Sequence, residues 1–199
     1  MSTKSQYLKV LIFALLATSQ LSLYAQGVVG IKSNLLYGAL CFAPNLGVEV
    51  GITSQQTIDV SVGYNGWNRC GSSTDNSKLA HLLIEAEVRH YLCERFNGHF
   101  FGLHGIYGVY NISEHNLPWL LGSGSGDYRF EGYGVGAGVA YGYQLPLSRR
   151  WNMEFEIGVG YIRMGYDKYK SCKCATELGH YTRNYFGPTR AGVSIVYTL

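Results

Sequence analysis

The stretch Gly132-Tyr133-Gly134-Val135-Gly136-Ala137-Gly138-Val139-Ala140-Tyr141-Gly142-Tyr143 alternates a small residue with an apolar or aromatic one at nearly every step. A period of two is the signature of a strand whose faces meet different surroundings. One face here is Tyr133, Val135, Ala137, Val139, Tyr141 and Tyr143, and the other is almost bare. The second face of a water-exposed sheet would carry Lys, Glu and Thr. A bare face suits the inside of a narrow closed barrel, where side chains from neighbouring strands supply the filling. A greasy outer face with tyrosines at its ends suits lipid.

Composition agrees. The chain has 199 residues, enough for one domain, with 26 Gly, 17 Tyr and only 15% charged residues. The formal net charge is +3, which gives no electrostatic case for nucleic acid as a partner. The first residues read as an export signal. Lys4 and Lys9 flank the start of an apolar run, Val10 to Ala17, and a more polar stretch ends at Leu23-Tyr24-Ala25. The expected division is a signal peptide over 1–25 and an outer-membrane β-barrel domain over 26–199. The apolar run is too short to span a bilayer of about 30 Å comfortably, and no later segment reaches about 18 consecutive apolar residues. A membrane protein without such a segment has only the closed barrel as a way to satisfy its backbone in lipid.

Alternation and turn residues predict eight strands: about Val29–Ala39, Asn45–Thr53, Thr57–Trp67, Ala80–Leu92, His99–Asn111, Arg129–Leu145, Arg150–Gly165 and Gly187–Leu199. The connections alternate between short turns (Ser54 to Gln56, Cys93 to Gly98, Pro146 to Arg149) and long segments (Asn68 to Leu79, Ile112 to Tyr128, Tyr166 to Phe186). This is the pattern of bacterial barrels, with short turns in the periplasm and long loops outside. The predicted fold is all-β, an eight-stranded antiparallel up-and-down transmembrane barrel with a side-chain-filled lumen. Tyr133 and Tyr143, and likewise Trp151 and Tyr161, share a face ten residues apart. At about 3.3 Å per residue and a tilt near 40°, that spacing is about 25 Å along the membrane normal, so these four are expected to form the two aromatic girdles.

By the same parity the lumen receives Lys32, Glu49, Asp59, Glu85, Glu87, Arg89, Glu154, Glu156 and Arg190. Eight strands leave an interior barely wide enough for its own side chains. The expected result is a polar plug of acids and bases that neutralise one another, with Asp59–Arg89 and Lys32–Glu49 as adjacent-strand candidates. The alternative for such carboxylates is an ion or proton path, or acid–base catalysis. The spacing of Glu85 with Glu87, and of Glu154 with Glu156, is what alternation produces in any case.

Three stretches carry a resemblance. They are Ile31-Lys32-Ser33-Asn34-Leu35-Leu36-Tyr37 with Pro44-Asn45-Leu46-Gly47-Val48-Glu49, the run Arg89 to Phe100, and Tyr185-Phe186-Gly187-Pro188-Thr189-Arg190-Ala191-Gly192. Together they resemble the DUF3575 family of Bacteroidetes outer-membrane barrels. The resemblance implies fold and compartment, and it brings no activity, cofactor or catalytic residue with it. One departure is the C-terminus, Val196-Tyr197-Thr198-Leu199, where such barrels often end on an aromatic residue.

Other chemistry is thinly signalled. Small barrels that modify lipid use a His with a Ser and an acid near one rim. His81, His90, His99, His104, His115 and His180 show no spacing that singles one out. Cys172-Lys173-Cys174 with His180 lacks standard zinc spacing, and Cys41 and Cys70 fall on neighbouring loops where they could pair. Ser123-Gly124-Ser125-Gly126 after Trp119, and the aromatic, basic Tyr166 to Lys170, are candidate contact surface. The expected role is therefore structural or surface-interacting, with no channel, catalysis, metal or cofactor. Expected partners are outer-membrane lipid and a protein or glycan at the outer loops, and the expected state is a monomer. The alternative is a lipid-modifying hydrolase or acyltransferase, and a soluble lipid-binding barrel is third. Cleavage before Gln26 is directly checkable: N-terminal sequencing of the exported protein should begin at Gln26, and a first residue of Met1 would refute it.

Overall fold

A computed structural model describes residues 29–41, 43–66, 77–115, 125–171 and 176–199. The expected signal peptide lies outside them, as do Trp67, Cys70, Trp119, Ser123, Gly124, Cys172 and Cys174. The described elements are β1 (Val29–Asn34), α1 (Leu35–Cys41), β2 (Asn45–Gly51), β3 (Gln56–Asn65), β4 (Lys78–Tyr91), β5 (Gly98–Ser113), a 3₁₀ turn (Ser125–Asp127), β6 (Tyr128–Pro146), β7 (Trp151–Lys170) and β8 (Glu177–Thr198). The strands pair in sequence order, all antiparallel, and β8 returns to β1 to close the barrel. The seam is short, running from Gly30 opposite Thr198 to Asn34 opposite Ser194.

The faces follow from the period of two. Ile58, Val60 and Val62 on β3, Tyr133 to Tyr143 on β6 and Phe155 to Tyr161 on β7 present their apolar side chains outward, and each is exposed. Their alternates face the interior. Tyr133, Tyr143, Trp151 and Tyr161 all lie on the exposed outer face, Tyr143 and Trp151 near the short-turn end and Tyr133 and Tyr161 towards the long-loop end. Trp151 packs edge-on against Tyr197, with ring centroids 5.0 Å apart.

Two expectations about element bounds are corrected. The first strand does not run to Ala39, because the chain leaves it at Asn34 and forms α1. Asn34 is the helix cap, its Oδ1 accepting the Tyr37 amide at 3.1 Å. Asn45 then takes the place of a strand partner: its Oδ1 accepts the Asn34 N–H at 2.6 Å and its Nδ2 donates to the Asn34 carbonyl at 2.9 Å. Apolar alternation cannot reveal this, since the side chains that end the strand are themselves polar. The second correction is Tyr166 to Phe186, which is not mainly loop. β7 continues to Lys170 and β8 starts at Glu177, with register shifts at Gly158/Val159 and Lys168/Tyr169. Polar and glycine residues hid these strands because both faces there are mixed. The wall consequently climbs around the barrel, from 6 residues in β1 and 7 in β2 to 20 in β7 and 22 in β8.

The bare face of β6 has two physical causes. Inward residues from other strands occupy the space beside it: a Cβ on Gly138 would meet His104 Nε2 at 2.7 Å, and one on Gly142 would meet Phe100 Cζ at 2.3 Å. β6 and β7 also approach one another closely. A Cβ on Gly136 would lie 2.4 Å from the Tyr161 carbonyl oxygen, and one on Gly160 would lie 2.4 Å from that of Ala137. Gly136 is thus constrained first by the neighbouring backbone and not by the charged side chains of the lumen. Gly136→Leu is expected to lower the unfolding midpoint sharply, since overpacking costs about 1–3 kcal/mol or more and backbone cannot move aside cheaply. Val135→Leu, on the exposed face, should fold with little change. Urea titrations of both variants decide it, and the reverse ranking would overturn the assignment of faces.

Candidate functional site: a sealed ion cluster in the lumen

Six acids and three bases share the barrel interior, and the strand registers explain how they arrive there. Glu49, Asp59 and Glu87 are directly opposite one another on β2, β3 and β4. Like charges in such cross-strand positions repel. The continuation of that row across β5, β6 and β7 is His104, Gly138 and Gly160. Acids therefore line the wall of β2 to β4 and glycines the facing stretch of β6 and β7, Glu154 and Glu156 enter lower on β7, and the cations fill the space that the glycines leave open. A Cβ on Gly47 would strike Lys32 Cγ at 2.9 Å, and one on Gly158 would lie 3.0 Å from Arg190 Cβ.

Arg89 is the centre, fully buried. Its Nε donates to Glu87 Oε2 at 2.6 Å. Nη1 donates to Glu49 Oε2 at 2.8 Å and Glu154 Oε2 at 2.7 Å, and Nη2 to Glu154 Oε1 at 3.1 Å and Glu156 Oε2 at 3.0 Å. The planar fork of a guanidinium supports this many carboxylates at once, which a lysine ammonium cannot. Phe100 lies beneath the guanidinium, 4.5 Å from carbon to ring centroid. Lys32 contacts Asp59 at 2.9 Å and Glu154 at 3.2 Å, while Glu49 is at 4.0 Å. Arg190 contacts Asp59 at 3.0 Å, Glu156 at 2.9 Å and Glu87 at 3.3 Å. The two expected adjacent-strand pairs are the loosest contacts of the cluster, Asp59–Arg89 at 3.8 Å and Lys32–Glu49 at 4.0 Å. Asp59 is held more tightly by Lys32 of β1 and Arg190 of β8, and Arg89 by Glu87 of its own strand and by Glu49, Glu154 and Glu156 of β2 and β7.

Hydroxyl groups complete the floor of the cluster. Thr57 Oγ1 donates to Glu49 Oε1 at 2.7 Å. Tyr91 Oη lies 2.8 Å from Glu49 Oε1 and 2.5 Å from Gln144 Oε1. A phenol has one proton, so Tyr91 donates it to the carboxylate. A half-turn of the Gln144 amide then lets its Nε2, otherwise without a partner, donate to Tyr91. Below this level Phe96, in a turn with φ 62°, closes the short-turn end against Tyr91 and beneath Gly30.

Glu85 stands apart. It is half-buried, accepts only a long bond from Ser61 Oγ at 3.4 Å and makes no ion pair within 4 Å among the described residues. It borders a polar cavity of about 100 Å³, together with Lys32, Ser61, Glu156, Arg190 and Tyr37. Tyr37 projects from α1 over Gly63 and makes a hydrogen bond to His81 Nε2. Asn34, Tyr37, Asn45 and Ser61, which build this roof, were not among the candidate residues. The only available signal was that Asn34, Tyr37 and Asn45 fall in a stretch with a family resemblance.

For catalysis the relevant contact is His104 Nε2 to Thr189 Oγ1, 2.9 Å. His104 Nδ1 is buried and makes no hydrogen bond, so no acid orients the ring. Cys41 and Cys93 carry free thiols. His180 meets Asp167 at 2.7 Å on the exposed upper part of β7 and β8. Cys172 and Cys174 lie outside the described residues.

Fold and lumen together define a class: a closed, eight-stranded, up-and-down β-barrel whose interior is packed with ion pairs. A family described as "Protein of unknown function (DUF3575)" matches residues 10–199, and the chain belongs to that family. No curated protein and no solved structure matches it. The three stretches that carry the family resemblance converge on this one cluster: Lys32 and Glu49 from the first, Arg89, Tyr91, Phe96 and Phe100 from the second, and Thr189 and Arg190 from the third.

Arg89→Ala is expected to destabilise the barrel by about 3–5 kcal/mol, because it strands several buried carboxylates without their shared cation. Arg89→Lys should recover only part of this, since an ammonium cannot hold four carboxylates in a plane. Urea unfolding midpoints measure both, and an unchanged midpoint for Arg89→Ala would show that the cluster does not bear on folding.

Proposed function

We propose that this protein is an outer-membrane β-barrel with a structural or surface-interaction role, without a conducting pore. The observation that carries the reading is the combination of an apolar outer face with an interior filled by a buried cluster of ion pairs. Between Tyr133 and Tyr143 on β6, and between Trp151 and Tyr161 on β7, no outward residue is charged. A soluble barrel would not leave that surface bare of charge. The paired lumen also favours this role over a lipid-modifying enzyme, since His104 and Thr189 lack a third, orienting member.

The uneven wall fits a membrane setting in a specific way. At about 3.3 Å per residue and a tilt near 40°, the six or seven residues of β1 and β2 rise only about 15–18 Å, short of a roughly 25 Å apolar band. α1 continues the wall at that point, and its Leu35 and Leu40 are exposed. Further round the barrel, β6, β7 and β8 rise well beyond the band. Their upper parts carry Tyr128, Arg129, Lys168, Tyr169, Tyr181 and the His180–Asp167 pair. Lys168 Nζ sits 3.5 Å from the centroid of the Tyr128 ring, and the Arg129 guanidinium 4.3 Å from that of Tyr169. This rigid aromatic and basic sheet is the surface we assign to a protein or glycan partner, in place of the flexible loop expected there.

Two measurements test the reading together. The protein should fractionate with the outer membrane and migrate differently in unheated and boiled gel samples, since closed barrels resist detergent. Reconstituted in liposomes, it should give no ion conductance above the lipid background. Recovery from the periplasm without detergent would refute the location, and steady single-channel currents would refute the closed lumen.

A further inference from the structure

Among the described residues, the charges in the lumen do not balance. Lys32, Arg89 and Arg190 bring three positive charges. Glu49, Asp59, Glu87, Glu154 and Glu156 are all buried with them, and Glu85 borders the same space. Six carboxylates against three cations leave an excess of three negative charges if every acid is ionised. The groups that face this space from the other elements do not supply the difference. They are His104 on β5, whose Nδ1 has no partner, Tyr91 on β4, the neutral Gln144 on β6, Thr57 on β3 and Tyr37 on α1. A charge with no counterion in a confined, poorly solvated site is disfavoured strongly enough that the group neutralises instead.

The excess could be met by a bound metal ion or by protons, and the geometry favours protons. Nowhere among the described residues do three His, Cys, Asp or Glu side chains converge in a way that could hold a metal ion. The acids are spread over four strands and are already spent on the three cations. Asp59 Oδ1 and Glu87 Oε1 are buried without any hydrogen-bond partner, on residues directly opposite one another. Their other oxygens are both held by cations, Asp59 Oδ2 by Lys32 and Arg190, Glu87 Oε2 by Arg89 and Arg190. Of these acids Glu85 alone has no cation within 4 Å among the described residues, and it borders the cavity roofed by Tyr37.

We propose that the folded barrel stores more than one proton on its lumen carboxyl groups at neutral pH, and that Glu85 is one of the holders. The proposal rests on the sealed lumen and not on the cellular location, so its failure would leave the outer-membrane reading standing. It makes the barrel acid-stabilised. Unfolded glutamates release their protons near pH 4, so between about pH 5 and 8 the folded state binds more protons than the unfolded one, and stability falls as pH rises. A barrel with fully ionised, fully paired acids would show the opposite slope or none.

The test is infrared spectroscopy of the purified full-length barrel in detergent at pH 7.5, read at the carbonyl stretch of protonated carboxyl groups. Surface acids are ionised at that pH and do not contribute. The wild type should show this band, and Glu85→Gln, checked for folding by the gel shift, should reduce it without removing it. No band in the wild type would overturn stored protons outright. An unchanged band in Glu85→Gln would overturn the assignment of a proton to Glu85, and complete loss would overturn a store larger than one. Elemental analysis after dialysis adds a second arm: a metal ion retained in stoichiometric amount would show that a cation balances the charge instead. The urea midpoint of the wild type should fall as pH is raised from about 6 to 8, and a rising midpoint would count against the proposal.

Discussion

The structure depends on one constraint, the need to neutralise a row of carboxylates inside a tube too narrow to hold water around them. Glu49, Asp59 and Glu87 stand next to one another across β2, β3 and β4, an arrangement that repels in isolation. Arg89 makes it tenable. It contacts Glu49, Glu87, Glu154 and Glu156 through all three guanidinium nitrogens while resting on Phe100. Lys32 and Arg190 enter from β1 and β8, the two strands that form the seam, and both reach Asp59. Arg190 comes to Asp59 from β8, across the seam, whereas Lys32 is joined to Asp59 through the pairing of β1, β2 and β3.

Glycine on one wall is the complement of charge on the other. Large polar side chains project from β1 to β4, from Glu154 and Glu156 at the lower end of β7 and from Arg190 on β8, and β6 and the middle of β7 give way with Gly138, Gly142, Gly158 and Gly160. Small residues opposite large ones are how a small barrel fills its taper. The same glycines let β6 and β7 come closer than side chains would permit. Such a core resists substitution differently from an apolar one. An extra methylene meets backbone, and a lost charge leaves a partner stranded, so neither can be absorbed by repacking. This buried network confers uniqueness of register as much as stability, because a shift of one residue would turn every acid outward.

The barrel's asymmetry follows from where its strands end. β1 stops at Asn34 because that residue caps α1 and because Asn45 satisfies its backbone N–H and carbonyl. A third bond, from Asn34 Nδ2 to the Ala191 carbonyl, ties the cap to β8. Side-chain amides here stand in for missing strand, which lets the wall drop at the seam without leaving its edge unsatisfied. The polar cavity beside Glu85 lies behind this low wall, where Tyr37 roofs it. On the other side of the seam, β8 with β7 and β6 carries the aromatic and basic surface upward as sheet.

Much of this was legible in the chain itself. The alternation from Gly132 to Tyr143 and from Met153 to Tyr161 determined strands with one apolar face, and parity alone placed Lys32, Glu49, Asp59, Arg89 and Arg190 on the other. Those properties are local, because a strand's faces are set by a period of two and by nothing beyond it. Family membership was likewise visible, in three stretches whose common purpose was not. Partners within the lumen were decided by the tertiary structure. Neighbouring strands suggested Asp59 with Arg89, whereas the tilt and closure of the barrel bring Arg190 and Lys32 to Asp59 and deliver Glu154 and Glu156 to Arg89. The helix at Leu35, the strands hidden between Tyr166 and Phe186 and the isolation of Glu85 belong to the same category. Each depends on which residues meet across a closed surface, and closure joins positions more than a hundred residues apart that no local pattern in the sequence relates.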